Sequence, residues 1–102
     1  MNLTFAEYET QRARLAILNV LQQDPDYEIN EAVLQAALAT VGHALSTDAL
    51  RTQCAWLAEQ QLVLTRHLSD ADVLVVRLTR RGEDVALARA HVPGVARPRP
   101  GG

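Results

Sequence analysis

Between residues 30 and 78 the spacing of apolar residues changes from helical to alternating, in an order that few folds satisfy. Asn30 opens a helix pattern that Gly42 breaks. Ser46 opens a second, which runs to about Gln60. Two short runs rich in β-formers follow, Leu62–Leu68 and Val73–Leu78, separated by Ser69-Asp70-Ala71-Asp72. Four residues is an ordinary hairpin loop. The order is therefore helix, tight turn, helix, β-hairpin.

The flanks complete the outline. Thr4-x-x-Glu7 has the spacing of a capping box, and the helix it starts runs to Gln22 or Gln23, where Asp24-Pro25 stops it. Leu15–Leu21 is apolar nearly all round, as in a helix central to a core or shared between two subunits. Tyr27-Glu28-Ile29 reads as a short extended piece able to pair with the hairpin edge. Val33, Leu34, Ala37, Leu38 and Val41 form the apolar stripe of the second helix. On the third, Leu50, Cys54 and Leu57 share one face. Asp48, Thr52, Ala55 and Glu59 lie opposite, with Arg51 and Trp56 on the flanks. Thr79 caps a last helix to about Ala90, and residues 91–102 read as a flexible Pro/Gly/Arg tail behind a domain spanning 1–90. The expected fold is α+β and mainly α: a winged helix-turn-helix with a three-helix core, a two-stranded wing and a C-terminal helix.

Composition narrows the function. At 102 residues, with 48% hydrophobic and 22% charged, the chain supports one globular domain. Neither a signal peptide nor a membrane span is legible, so a cytoplasmic location is expected. The single cysteine, Cys54, allows no intrachain disulfide, and its place among apolar residues makes it a core residue. His43, His67 and His91 lack ligand spacing, and neither a phosphate loop nor a nucleophile set stands out. No metal, no cofactor and no enzymatic activity are expected.

Net charge is −2, unfavourable for a dedicated nucleic-acid binder, but it is unevenly spread. Residues 1–45 hold two arginines against six acids, and residues 46–102 hold eight arginines against six. The first turn of the third helix offers Thr47, Asp48, Arg51 and Thr52 as readers of base edges or phosphates, with Arg51 suited to a bidentate contact. Arg66 and Arg77 lie on the hairpin strands, although Asp70 and Asp72 make its tip acidic. Arg80 and Arg81 open the last helix, where its dipole disfavours cations. Neutralisation by Glu83 and Asp84 is the simpler expectation there, and phosphate contact by Arg80 or Arg81 the functional one. Trp56 is read as an additional core residue. Ile17, Leu18, Val20 and Leu21, with Val85 and Leu87, form a candidate seam between two copies; burial within one copy is the alternative.

The run Ser46–Val63, with Trp56-Leu57-Ala58-Glu59-Gln60-Gln61-Leu62-Val63, followed by Leu78-Thr79-Arg80-Arg81-Gly82, resembles winged-helix bacterial regulators of the ArsR/MarR/PadR type. The whole chain, including Val92-Pro93-Gly94-Val95 and Arg97-Pro98, is similar to a small family from Mu-like phages and prophages, labelled ArsR-like or uncharacterised. The resemblance implies a winged helix, binding of double-stranded DNA and homodimers. It does not carry over metal sensing, because the paired thiolates of ArsR sensors are absent. The expected function is a DNA-binding regulator of phage or prophage origin that inserts its third helix in the major groove. The alternative is a protein-interaction module, such as a phage accessory or assembly factor, on the same scaffold.

Overall fold

The computed structural model describes residues 2–68 and 70–99. Helix α1 spans Phe5–Gln23. Both bonds of its capping box are formed: Glu7 N–H donates to Thr4 Oγ1 and Thr4 N–H to Glu7 Oε1. Asp24 ends the helix, and its carboxylate then accepts from the Asp26 and Glu28 amides, turning the chain into strand β1, Glu28–Asn30. Asn30 also caps α2, Glu31–Thr40, by accepting from Val33 N–H at 3.0 Å.

Ser46 caps α3, Thr47–Glu59, whose buried face is Leu50, Cys54 and Leu57. Strands β2, Val63–His67, and β3, Leu74–Leu78, form the hairpin, which Leu68 N–H to Val73 carbonyl closes at 3.0 Å. Strand β1 adds antiparallel to β3 with Ile29 opposite Val76, so the sheet order is β1-β3-β2. The central strand is β3, and its Leu74, Val75, Val76 and Leu78 are all buried. Helix α4, Arg80–Ala86, is capped by Thr79. The molecule is thus a small α+β domain with four helices and a three-stranded antiparallel sheet, among the described residues. None of these helices is long and apolar enough to cross a membrane.

Four expectations are corrected. The apolar stripe of α2 is narrower than its spacing suggests. Leu34 and Leu38 are buried, but Val33 and Val41 are 54% and 57% exposed. Val33 lies a third of a turn from the Leu34–Leu38 line, and Val41 sits at the cap beyond the last helical residue.

Helix α4 stops at Ala86 rather than Ala90. Ala88 takes a left-handed φ of 62°, and Arg89 N–H closes onto Asp84 carbonyl at 2.7 Å. That pattern, together with Ala88 N–H to Val85 carbonyl, ends the helix despite the lack of a glycine.

The tail does not begin at residue 91. Val92 and Val95 are buried in the core, and Ala96 N–H donates to Gln11 carbonyl on α1 at 3.1 Å. Residues 92–96 form a strap across α1 and α3. Gly94 makes that path possible, since a Cβ there, besides requiring φ +99°, would meet the Trp56 ring at 2.6 Å.

The proposed seam between copies is spoken for within the chain itself. Ile17, Leu18 and Leu21 have no exposed surface and Val85 almost none, because α2, α3, α4 and the sheet close over them. Burying each such side chain is worth roughly 1.5–3 kcal/mol, which a transfer to a subunit interface would have to replace. Of the six residues, Val20 is half-buried and Leu87 is exposed.

Candidate nucleic-acid interface

The outward face of α3 follows directly from its helical phase. With Leu50, Cys54 and Leu57 turned in, Thr47, Asp48, Thr52, Ala55 and Glu59 are exposed. The face is small, polar and slightly acidic. Burial pushes the Cys54 thiol up to about 12, so it behaves as an inert core residue.

Arg51 does something the sequence did not reveal. Its Nε donates to Glu31 Oε2 at 2.7 Å and its Nη2 to Glu31 Oε1, a bidentate pair between α3 and the first turn of α2. Glu31 Oε1 also accepts the Leu74 N–H of β3 at 3.1 Å. Asp72, in the hairpin loop, accepts from Arg51 through its carbonyl at 3.1 Å and through its carboxylate. Two helices and the hairpin therefore meet at one guanidinium. Arg51's bonds hold the Glu31 carboxyl at about 2, with the Leu74 amide helping, and Arg51 itself is shifted upward by Glu31 and Asp72. Glu31 stands in the first turn of α2, where local chemistry accounts only for a favourable charge at a helix N-terminus; its partners lie 20 and 43 residues away and carry no local signal. Arg51, expected among the readers of base edges or phosphates, is held by these carboxylates and joins α3 to α2 and the hairpin.

The hairpin arginines are also paired. Glu28 on β1, Arg77 on β3 and Arg66 on β2 share the outer face of the sheet, because Glu28 opposes Arg77 and Arg66 opposes Val75. Arg66 reaches across Val75 to Glu28, with Nη2 at 3.0 Å and Nε at 3.2 Å; Arg77 Nη1 lies 3.9 Å from the same carboxylate. Both arginines stay largely exposed. The acidic tip bends toward α3, since Asp72 faces Arg51 and stands 3.7 Å from His67 Nε2.

The expected neutralisation of Arg80 and Arg81 by Glu83 and Asp84 is not formed. Asp84 pairs with Arg89 at 3.3 Å instead. Arg81 Nε donates to the Gln60 carbonyl at 3.1 Å, an orphan acceptor at the C-terminal end of α3, where a cation is favoured. Arg80 is exposed and makes no hydrogen bond or ion pair among the described residues. Trp56 is half-buried; Arg14 stacks on its ring at 3.8 Å and donates to Gln53 Oε1 and to Gly94 carbonyl. Among the described residues, no three His, Cys, Asp or Glu side chains gather as metal ligands do.

This arrangement defines a small α+β domain whose third helix leaves one face open beside a hairpin. No protein-family model matches the chain. It is 50% identical over 91 residues to the uncharacterized protein gp26 of Escherichia phage Mu, covering 89% of this chain and 92% of that one. An uncharacterized protein of Haemophilus influenzae is 37% identical over 79 residues, covering 78% and 76% respectively. The chain belongs to the family of phage Mu gp26. The expected tie to Mu-like phages stands on that match, which carries no statement about regulation.

Proposed function

We propose that the domain is a winged helix-turn-helix unit that binds double-stranded DNA as a phage-type regulator, laying α3 in the major groove. The observation that carries this reading is the pair α2 and α3, joined through a tight turn at Gly42, with the second helix exposing only small or polar residues beside a β-hairpin. Thr47, Thr52 and Ala55 permit close approach to base edges. Arg66, Arg77 and Arg80 supply phosphate contacts, the first two by exchanging Glu28 for phosphate oxygens. Arg51 serves as a positioning residue, and Asp48 is left as a discriminating group that disfavours phosphate.

The test is a gel shift of the full chain on DNA flanking its own gene, at two salt concentrations. Retardation that Thr52→Glu abolishes, with a log–log salt slope near about −3 for three phosphate contacts, supports the reading. No retardation at low salt overturns it.

A second reading, a protein-interaction module, is favoured by one feature. The face of α3 shows Asp48 and Glu59, while Arg51, Arg66 and Arg77 are matched by carboxylates. Such a module binds no DNA at low salt, and Thr52→Glu leaves that unchanged.

A further inference from the structure

A groove crosses the outer face of α1, between the α2–α3 turn and residues 96–99. It encloses about 400 Å³, and Leu15, Val20 and Val41 contribute to its apolar walls. Arg12, Arg97, Arg99 and His43 also line it, and among the described residues no carboxylate does. Arg51, Arg66, Arg77 and Arg89 each meet a carboxylate; among the described residues Arg12, Arg97 and Arg99 do not.

One contact makes the imbalance specific. Arg12 Nη1 and Arg99 Nη2 both donate to the Tyr8 phenol oxygen, at 3.1 and 3.0 Å. A single neutral oxygen thus holds two guanidinium groups together, with no counter-ion among the described residues. Their donation, Arg12 first and Arg99 next, lowers the Tyr8 phenol from its ordinary range. An oxyanion satisfies two guanidinium forks better than a phenol does, since it offers several acceptor lone pairs and the opposite charge. The groove has the size of a small-molecule pocket, with apolar walls and a few convergent polar groups.

We propose that this groove binds a small amphipathic anion, with a carboxylate or phosphate-monoester head between Arg12 and Arg99 and a short apolar body along Leu15, Val20 and Val41. The site is separate from the outward face of α3 and stands whether or not the domain binds DNA.

Calorimetry on the full chain with hexanoate and hexyl phosphate tests the proposal, and the tighter of the two identifies the head group. Each is expected to bind with a Kd below about 1 mM. Hexan-1-ol, which lacks the charge, and inorganic phosphate, which lacks the body, bind at least about tenfold more weakly. Arg12→Gln with Arg99→Gln lowers the affinity by about tenfold or more, with an unchanged circular dichroism spectrum. In a Tyr27→Phe background, where Tyr8 is the one remaining tyrosine, saturating ligand moves the ultraviolet titration of Tyr8 to higher pH, because the guanidinium groups leave the phenol for the anion. Hexan-1-ol binding as tightly as the anions, undiminished binding in the double variant, or an unmoved Tyr8 titration each overturns the proposal. So does sedimentation showing a dimer that the double variant dissolves, which assigns the groove to a second copy.

Discussion

Two groups of arginines in this chain have opposite surroundings. Around α3 and the hairpin, Arg51 meets Glu31 and Asp72, while Arg66 and Arg77 share Glu28. On α1 and in residues 92–99, Arg12 and Arg99 meet a phenol, and Arg14 meets an indole, an amide and a carbonyl. The first group uses positive charge to join secondary-structure elements and leaves little field behind. The second uses the flat, multi-donor shape of the guanidinium and keeps its charge. A count of arginines along the chain points to the C-terminal half as the positive region; pairing neutralises Arg51, Arg66, Arg77 and Arg89 there, and among the described residues leaves Arg80, Arg81, Arg12 and Arg99 without a carboxylate.

That contrast breaks or sharpens under substitution. The largest effect is expected at the strap: Gly94→Ala forces a Cβ into Trp56 at a left-handed φ, and should destabilise the fold by about 3 kcal/mol. Chemical unfolding followed by the fluorescence of the single tryptophan measures it; an unchanged midpoint would mean that the strap is not anchored on Trp56.

Next comes Glu31→Gln, which removes the carboxylate from Arg51 and weakens the acceptor for Leu74 N–H. A loss of about 2 kcal/mol is expected, below the range for a fully buried pair because Arg51 is partly exposed. The same variant tests the sign of the pH dependence. The Glu31 carboxyl is held at about 2 against an ordinary 4.5, so its contribution is full above about pH 4.5 and fades as pH falls toward 2. Stability of the variant should therefore fall less than that of the parent across this window, measured by urea unfolding at stepped pH. Parallel curves would remove Glu31 as the titrating group.

Arg14→Lys keeps the charge but loses the stacking plane and the fork to Gln53 and Gly94. About 1 kcal/mol is expected. A neutral outcome would show that charge, not shape, matters on that side. Smallest is Arg66→Gln, an exposed pair, at less than about 0.5 kcal/mol. A loss above about 1 kcal/mol there would place the sheet pairing in the same energetic class as the Arg51 clamp.

Helix starts were legible in the chain, and helix ends were legible only in part. Thr4, Asn30, Ser46 and Thr79 all cap as their side chains suggest, because an N-cap is a contact within three residues. Three helices end in the same closure, with left-handed residues at Gly42, Gln61 and Ala88. Only the first carries a glycine to announce it, which is why α4 reads as longer than it is. The edge strand β1 and the α3 core face were also readable, the latter from phase alone. The candidate site was readable as a list of exposed positions. Its electrostatics were not, since Glu31, Glu28 and Asp72 reach their arginines across separations that no periodicity encodes.

Local chemistry written into the chain therefore decided where elements begin, which face of α3 turns inward and the order that forms a hairpin behind two helices. Tertiary packing decided which arginines are neutralised, that α1 is covered by its own chain, and that residues 92–96 belong to the core. Capping and helical phase act over three or four residues, whereas an ion pair or a buried valine depends on which distant segment the fold brings alongside.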